Sequence, residues 1–204
     1  DPLELLPARI PVRLRGMQTH GRKIDAAEAG QRAALNVANL KVAEVARGDE
    51  LSVPGYLMPT MMLDARLRTM ASMAEPLENR TRIRLHKGTS EVIGRLVILD
   101  QERLEPGSEG YIQFRLESPI VAERNERFII RGFSSMRLLG GGGFLDVYPQ
   151  KHGRFRQSVL EHLEAITEAD PKTLVEQIMR DAYGEQRVRA VADLCRVTNL
   201  TKVE

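Results

Sequence analysis

Apolar side chains recur at every second position through much of the chain, and this alternation constrains its fold more than any other feature. In the segment from Arg80 to His86, basic residues alternate with Thr81, Ile83 and Leu85. A second run alternates apolar positions with charged ones: Met61, Leu63, Ala65 and Leu67 with Asp64, Arg66 and Arg68. A period of two is typical of a half-buried β-strand. The chain is therefore predicted to be mainly β.

Turn signals divide the part of the chain from residue 57 to 149 into short strands. Lys87-Gly88 and Pro106-Gly107 are two such signals. The predicted strands lie near residues 61–68, 80–86, 91–100, 111–116, 127–131 and 143–148. Six short strands separated by turns favour an antiparallel barrel or sandwich. We expect residues 57–149 to form a six-stranded barrel.

Residues 1–56 also alternate, but they contain few core candidates. Ile10, Val12 and Leu14 alternate with Arg13 and Arg15, and a turn is predicted at residues 20–22. About 56 residues of β-structure leave little room for a complete core of their own. We therefore expect this part to be an incomplete barrel that leans on the next one and exposes strand edges.

After Pro149 the apolar period becomes helical. Phe155, Val159, Leu163 and Ile166 are predicted to line one face of a first helix. Asp170-Pro171 is a typical start for a second helix, which is predicted to end at Tyr183-Gly184. A third helix is predicted around residues 188–195, and a capping box at residues 201–204 begins another. This order in residues 150–204 is typical of the opening of a winged-helix domain.

Composition narrows the possible classes of protein. The single cysteine, Cys195, excludes a disulfide framework and a cysteine-rich zinc site, and it favours a cytoplasmic location. No apolar run approaches the length of a membrane span, and the first residues do not resemble a signal peptide. The start of the sequence suggests a chain cut from a longer one. Of the 30 basic residues 24 are Arg, a bias that suits RNA binding and that a GC-rich genome also produces.

The sequence contains no recognisable catalytic, metal-binding or nucleotide-binding motif. A phosphate-binding loop is missing, and the four histidines lack metal-ligand spacing. Cys195 is most simply a core residue of a helix. Gly140–Gly143 opens a strand and is predicted to form a tight turn where backbones approach closely. No catalytic residue, metal ligand or cofactor site is assigned to this chain.

A basic stripe is the strongest candidate for binding. Arg80, Arg82, Arg84 and His86 are expected to share one side of a strand. Such a stripe can follow a phosphate backbone. It can also be a solvated face whose arginines pair with acids on a neighbouring strand, and the residues alone favour this second interpretation.

Several motifs in one order resemble a known family. Gly16-Met-Gln-Thr-His20, Ala29-Gly-Gln-Arg-Ala-Ala-Leu-Asn-Val37 and Arg47-Gly-Asp-Glu-Leu51 resemble the second half of barrel domain II in EF-Tu-like translation factors. Ser118-Pro119-Ile120, Arg127-Phe-Ile-Ile-Arg131 and Gly140-Gly-Gly-Gly-Phe144 are similar to the end of their domain III. His86-Lys-Gly-Thr-Ser-Glu-Val92 and the helical start after Pro149 resemble one branch, the selenocysteine-specific elongation factors.

The resemblance implies three parts and a function. Residues 1–56 would be the C-terminal half of domain II, residues 57–149 domain III, and residues 150–204 the first helices of a winged-helix domain. Members of this branch bind GTP and deliver selenocysteyl-tRNA to the ribosome at recoded UGA codons. GTP and Mg would bind a GTPase domain that this chain lacks. Further C-terminal winged helices would bind a messenger-RNA hairpin, and no membrane is involved.

The resemblance also implies site residues. In EF-Tu relatives the aminoacyl ester lies against domain II at positions that match His20 and Arg32. A cationic side chain there would recognise an ionised selenol, for which Arg13 is the first choice and Arg15 the second. Arg32 replaces the Asn of EF-Tu. The tRNA backbone would contact domain III at Arg131 and Arg137, and at the stripe residues Arg80, Arg82 and Arg84.

Three other interpretations remain open from the sequence. The chain could belong to another EF-Tu-like translation factor. It could be a transcription regulator with a β ligand-sensing part and a winged-helix reader, although residues 150–204 have no net positive charge. An enzyme built on a β-barrel would need convergent titratable groups, which the sequence does not indicate.

Overall fold

Thirteen strands precede three helices in residues 2–180 and 191–200, the part of the chain that the computed structural model describes. The strands are β1 Pro2–Leu6, β2 Ile10–Thr19, β3 Arg22–Ile24, β4 Ala34–Ala38, β5 Glu50–Ser52, β6 Thr60–Thr69, β7 Leu77–Glu78, β8 Arg82–Lys87, β9 Ser90–Ile98, β10 Arg103–Leu104, β11 Glu109–Ile120, β12 Arg127–Gly132 and β13 Leu138–Asp146. The helices are α1 Gln157–Glu168, α2 Pro171–Arg180 and α3 Val191–Thr198, and a short 3₁₀ turn spans Val42–Glu44.

Six of these strands close into a barrel in the order β11-β6-β13-β12-β8-β9, with every neighbouring pair antiparallel. The mainly β fold class and the six-stranded barrel are thus confirmed. Three buried aromatic rings fill the barrel. The centroid of Phe128 lies 5.1 Å from that of Phe114 and 4.9 Å from that of Phe144. This spacing is within the favourable range for aromatic pairs.

Strand β6 departs from the predicted alternation at two positions. Leu63, Ala65 and Leu67 are fully buried, as predicted. Met61 is 43% exposed, because it lies at the barrel rim, where the pairing of β6 with β11 shifts register. Asp64 falls on the predicted charged side, yet it is only 1% exposed. The chain that follows β13 covers this part of the outer surface.

The four glycines from Gly140 to Gly143 lie inside strand β13, so the predicted tight turn is wrong. The predicted close approach of backbones is confirmed. A Cβ atom on Gly142 would lie 1.8 Å from the carbonyl oxygen of Arg66, and one on Gly140 would lie 2.4 Å from that of Arg68. Strand β6 therefore packs directly against the β13 backbone.

The first five strands form an open sheet around β2. Strands β1, β3 and β4 all pair with β2, and β5 pairs with the far edge of β1. Leu6 of this sheet packs against Leu57 and Val121 of the following part. Lys87, at the end of β8, is 3% exposed and hydrogen-bonds Glu50 of β5. The sheet is thus joined to the barrel by an apolar cluster and by a buried ion pair.

The helices pack on the outer surface of the barrel. Val97 and Leu145 of the barrel share one buried cluster with apolar residues of all three helices, which include Leu163, Ile166, Leu174, Ile178 and Val197. As predicted, Val159, Leu163 and Ile166 share one face of α1, and this face packs into the cluster. Phe155 does not belong to the helix: it lies two residues before it, with φ 56°, and is 49% exposed.

The predicted start of α2 is confirmed. Asp170 Oδ1 accepts hydrogen bonds from the backbone N–H groups of Lys172 and Thr173, at 3.0 and 3.2 Å. The hydrogen bond from the Thr173 hydroxyl lowers the pKa of Asp170. The predicted helix end at Tyr183-Gly184 and the predicted capping box at residues 201–204 lie outside the described residues.

Candidate nucleic-acid interface

The basic stripe lies on the outer face of β8. Arg82, Arg84 and His86 alternate with the buried residues Ile83 and Leu85, as predicted. Arg80 was expected on the same strand, but β8 begins only at Arg82, and Arg80 precedes it with φ 65°. Because the backbone turns there, Arg80 does not belong to the row of side chains that Arg82, Arg84 and His86 form on β8.

Two arginines of the stripe pair with carboxylates on the neighbouring strands. Arg82 donates two hydrogen bonds to Glu117 of β11, at 2.8 and 2.7 Å, and Arg84 donates to Glu91 of β9. These bonds lower the pKa of both glutamates. The structure thus agrees with the acid pairing that the residues alone favoured. The pairs are exposed, so their arginines stay accessible to a stronger anion.

An aromatic ring stands next to the stripe. The ring centroid of Phe133 lies 4.0 Å from the guanidinium carbon of Arg82 and 5.2 Å from that of Arg84. Both distances are in the range of cation–π contacts. Arg84 Nε also donates to the Phe133 carbonyl at 3.1 Å. Phe133 was not identified from the sequence, although an aromatic residue in the turn after Arg131-Gly132 is a signal that could have found it.

A groove of about 1180 Å³ opens between the loop before β7 and the loop that joins β12 to β13. Arg82, Phe133 and Arg137 line this groove, and the acidic residues Glu75 and Glu78 line it as well. We call Arg82, Phe133 and Arg137 the basic wall of the groove. The Arg137 side chain is exposed, and no carboxylate of residues 2–180 or 191–200 lies within ion-pair distance of it. The basic wall of this groove thus combines Arg137, which is exposed, with Arg82, which is paired with Glu117.

Arg131 lies on β12 beside the groove and is half-buried. Its Nε atom is buried and has no hydrogen-bond partner within the described part of the chain. Within the described residues, Arg131 forms no ion pair with an acid. The loop after it is tight, because Gly132 N–H donates to the Arg137 carbonyl at 3.0 Å.

The four residues predicted for the aminoacyl site do not form one cluster. Arg13 and Arg15 are exposed on β2, opposite the buried Val12, as predicted. His20 lies in the turn after β2, about 23 Å along the strand from Arg13 at ~3.3 Å per residue. The Arg32 carbonyl accepts a hydrogen bond from Thr19 Oγ1 at 3.0 Å. His20 and Arg32 are therefore near each other, and Arg13 is at the other end.

A cavity of about 350 Å³ lies beside Arg15. The pairing of β2 with β4 shifts register between Leu14 and Gly16, so that Arg15 is the extra residue of a bulge. The other lining residues are Gly16, Met17, Gln18, Lys23, Ala34, Leu35 and Asn36. Arg13 does not line this cavity. The geometry thus favours Arg15, the second choice from the sequence, as the cation of a pocket on β2.

A buried polar network on the outer barrel surface was missed from the sequence. Asp64 accepts hydrogen bonds from Gln113 Nε2 at 2.9 Å, and its Oδ2 lies 2.7 Å from His152 Nε2. Burial raises the pKa of Asp64, against the lowering effect of His152. Arg115 donates to the His152 carbonyl at 2.8 Å. Together these bonds hold the segment between β13 and α1 on the barrel.

The described residues contain no candidate metal centre. Within residues 2–180 and 191–200, no three His, Cys, Asp or Glu side chains lie close enough together to hold a metal ion. No helix of those residues is both long and apolar enough to span a membrane. The accessible arginines, the aromatic ring and the groove are the features that suit binding of a polyanion.

Comparison with known proteins decides the family. Residues 64–151 match the family model described as "Selenocysteine-specific elongation factor, beta-barrel domain". A selenocysteine-specific elongation factor of Desulfomicrobium baculatum is 33% identical over 151 residues. This chain belongs to that family. The match begins and ends close to the barrel, from β6 to the segment that follows β13.

The selenocysteine-specific elongation factors that resemble this chain are much longer. The match covers 74% of this chain and 24% of the D. baculatum protein. The protein of the same name from Escherichia coli strain K12 is 25% identical over 172 residues, which cover 83% of this chain and 26% of the relative. The chain thus spans about a quarter of their length.

A solved structure supports the fold. The elongation factor SelB from Methanococcus maripaludis, in its apo form, superposes with a TM-score of 0.62 at 20% sequence identity. The match covers 76% of this chain and 37% of that one. At this identity the likeness establishes the arrangement of strands and no individual site.

Proposed function

We propose that this chain is the tRNA-binding part of a selenocysteine-specific elongation factor. In this proposal the factor delivers selenocysteyl-tRNA to the ribosome at recoded UGA codons in a GTP-dependent way. GTP and Mg would bind a GTPase domain elsewhere in the parent protein. A messenger-RNA hairpin would bind further winged helices beyond the helices described above. The family membership favours this proposal over a transcription regulator or a barrel enzyme.

The observation on which the proposal rests is the basic wall of the groove at the end of the barrel. Arg82, Phe133 and Arg137 present two guanidinium groups and one aromatic ring on the same surface. Arginines bind phosphates through planar, bidentate contacts. An aromatic ring beside them supplies a flat surface on which a ribose or base can pack. Arg131 and Arg84 extend the cationic surface along the barrel.

We place the amino acid of the tRNA at the cavity beside Arg15. Selenocysteine and serine differ by one atom, so pocket shape alone discriminates poorly between them. A selenol ionises more readily than a hydroxyl and would present a negative charge at neutral pH. Arg15 and Lys23 both line the cavity and would favour that charge. A charge-assisted hydrogen bond contributes about 1.5–3 kcal/mol, or roughly ten- to a hundredfold in affinity.

His20 and Arg32 would orient the ester and the ribose end of the tRNA. Both are exposed at the end of β2, and the Thr19 hydroxyl holds the Arg32 backbone there. Arg13 lies outside the cavity and would at most contact RNA. The roles of His20 and Arg32 are those that the resemblance implies, and the proposal differs from the sequence-based order of choice only in that Arg15 takes the place of Arg13.

Binding of an unmodified selenocysteine tRNA to this chain tests the groove. Fluorescence anisotropy at several salt concentrations gives the dissociation constant and its salt dependence. Arg137→Gln is expected to lower the slope of log Kd against log salt by about one, because one phosphate contact is lost. Phe133→Leu is expected to weaken binding with little change in slope, since it removes no charge.

The matched control is Arg156→Gln, which removes one exposed positive charge just before α1, outside the groove. The control is expected to leave both affinity and slope close to those of the unchanged chain. Equal effects of Arg137→Gln and Arg156→Gln would mean that the RNA responds only to net charge. That outcome would overturn the groove as the tRNA site.

A further inference from the structure

Three arginines meet in a recess on the outer barrel surface, next to the groove and distinct from the cavity on β2. Arg80, Arg95 and Arg115 line a space of about 290 Å³, and Val97 forms its apolar floor. Arg95 of β9 is paired in register with Arg115 of β11 on one side and with Arg82 of β8 on the other. We refer to these three arginines and Val97 as the arginine recess.

No carboxylate neutralises the arginine recess. Within residues 2–180 and 191–200, none of its three arginines has an Asp or Glu oxygen inside ion-pair distance. Glu117 is the acid near Arg95, but both of its oxygens are hydrogen-bonded to Arg82. Asp64 is near Arg115, but its oxygens contact Gln113 and His152. Glu117 and Asp64 thus attract these arginines only at longer range, and no guanidinium of the recess is in direct ion-pair contact with a carboxylate of the described residues.

Like charges on neighbouring strands are unfavourable unless an anion offsets them. Burial and the nearby Arg80 both lower the pKa of Arg115. If the recess bound no ligand, the fold would be more stable with an uncharged residue in place of one of the three arginines. The concentration of unpaired guanidinium groups around one recess is the chemistry of an anion site.

The recess is also built in a fixed geometry. Arg115 donates to Gln113 Oε1 at 3.3 Å and to the His152 carbonyl at 2.8 Å. Arg95 donates to the Arg80 carbonyl at 3.2 Å. The backbone N–H of Arg80 donates to the Leu96 carbonyl at 2.8 Å. Each guanidinium has five N–H donors, so these bonds leave most of them available for a ligand.

We propose that Arg80, Arg95 and Arg115 form a phosphate-binding site, separate from the groove, that takes a phosphate group of an RNA backbone. The space equals that of about ten liquid water molecules and admits a phosphate together with its sugar or its hydration shell. The rest of the barrel face supports a polymer as the source. Arg82 lies directly beside Arg95, so one strand of RNA can pass from the groove to the recess.

Inorganic phosphate is the first probe, and it tests the site without any reliance on the proposed function. NMR spectra of the arginine Nε–H groups of this chain are followed during a phosphate titration. The signals of Arg80, Arg95 and Arg115 are expected to shift together and to saturate. Arg95→Gln is expected to weaken phosphate binding about tenfold or more, whereas the control Arg156→Gln leaves it unchanged. No saturable shift, or equal effects of both variants, overturns the site.

A short RNA duplex is the second probe, and it identifies the source of the phosphate. Arg95→Gln is expected to lower the salt slope of RNA binding by about one, beyond any change in Arg156→Gln. Saturable phosphate binding with an unchanged RNA slope would reject an RNA backbone and assign the site to free phosphate. If the chain binds phosphate but no RNA at all, the proposed function is refuted, whereas the recess is still a phosphate-binding site.

Discussion

His152 Nε2 lies 2.7 Å from Oδ2 of Asp64, a carboxyl group that is almost completely buried on the outer surface of the barrel. The two residues are 88 positions apart, and their contact fixes the segment that leads from the barrel to the helices. The Gln113 side chain reinforces it by donating to both Asp64 Oδ1 and the Gln150 carbonyl. The helices therefore depend on a buried polar network for their position.

Removal of the Asp64 carboxyl should destabilise the chain and loosen this segment. Asp64→Ala leaves Gln113 and His152 without their buried acceptor, which costs on the order of 3 kcal/mol of unfolding free energy. Urea denaturation measures the loss, with Asp25→Ala, an exposed position, as the control. Hydrogen exchange at the Phe155 N–H, which donates to the Leu99 carbonyl, should quicken as well. Unchanged stability and exchange would show that the network is dispensable.

The ion pair between the sheet and the barrel should be equally sensitive. Lys87 Nζ donates hydrogen bonds to Glu50 and, at 3.1 Å, to the Val121 carbonyl, and it forms an ion pair with Glu126 at 3.2 Å. Lys87→Met leaves two carboxylates facing each other, and we expect a loss of about 3 kcal/mol or more. Lys151→Met, at an exposed lysine, is the control.

The same pair sets a dependence on pH. Burial raises the pKa of Glu50, so its contribution favours the folded state in acid and is lost as pH rises through the folded pKa. Without Lys87 this pKa rises further. The destabilisation by Lys87→Met should therefore grow between about pH 4 and pH 7, and Glu50→Gln should partly relieve it. A destabilisation that shrinks as pH rises would contradict this assignment.

Of two neighbouring glycines in β13, only one should be sensitive to an added methyl group. In Gly142→Ala the new Cβ meets the Arg66 carbonyl oxygen at 1.8 Å, so strands β6 and β13 must separate. In Gly143→Ala the closest heavy atom is 3.9 Å away. Thermal unfolding should show a loss on the order of 3 kcal/mol for the first variant, and a change within about 1 kcal/mol for the second. Similar unfolding temperatures would mean that the two strands are not in close contact.

The pairing of Arg82 with Glu117 should be visible in the titration of one carboxyl group. The hydrogen bond from Arg82 lowers the pKa of Glu117, so the pair stabilises the fold above the unfolded pKa and less so in acid. In Arg82→Gln the pKa of Glu117 should rise towards the ordinary value of 4.5. The pKa of Glu91, which pairs with Arg84, should stay low and serves as the internal control. Carbon-detected NMR measures both, and equal Glu117 values in the two proteins would exclude the pair in solution.

Local pattern was sufficient to predict the barrel strands, because each buries one face and leaves the other in water. The prediction failed where a segment distant in sequence covers a strand face that would otherwise be in contact with water. The sequence pattern predicts an exposed Asp64, but in the fold the segment near His152 covers it. Phe155 fits a helical spacing, but its backbone turns to φ 56° as Arg154 donates to the Ile98 carbonyl at 3.0 Å.

The candidate site was only partly predictable for the same reason. The stripe on β8 follows from alternation, whereas the acids that pair with it lie on β9 and β11. The bulge that makes Arg15 line a cavity depends on the register of β2 against β4. Arg95 and Arg115 are adjacent only because β9 and β11 are neighbours in the closed barrel. None of these relationships is encoded in a local spacing.

The measurement that tests the central claim most directly compares selenocysteyl-tRNA with seryl-tRNA on the same tRNA body. Equilibrium binding is measured with GTP for a longer protein in which this chain is joined to the GTPase domain that the proposed function requires, and for the Arg15→Gln and Arg13→Gln variants of that protein. We predict at least tenfold tighter binding of the selenocysteyl form, lost in Arg15→Gln and retained in Arg13→Gln. Equal affinities of the unchanged protein for the two tRNAs would contradict the account.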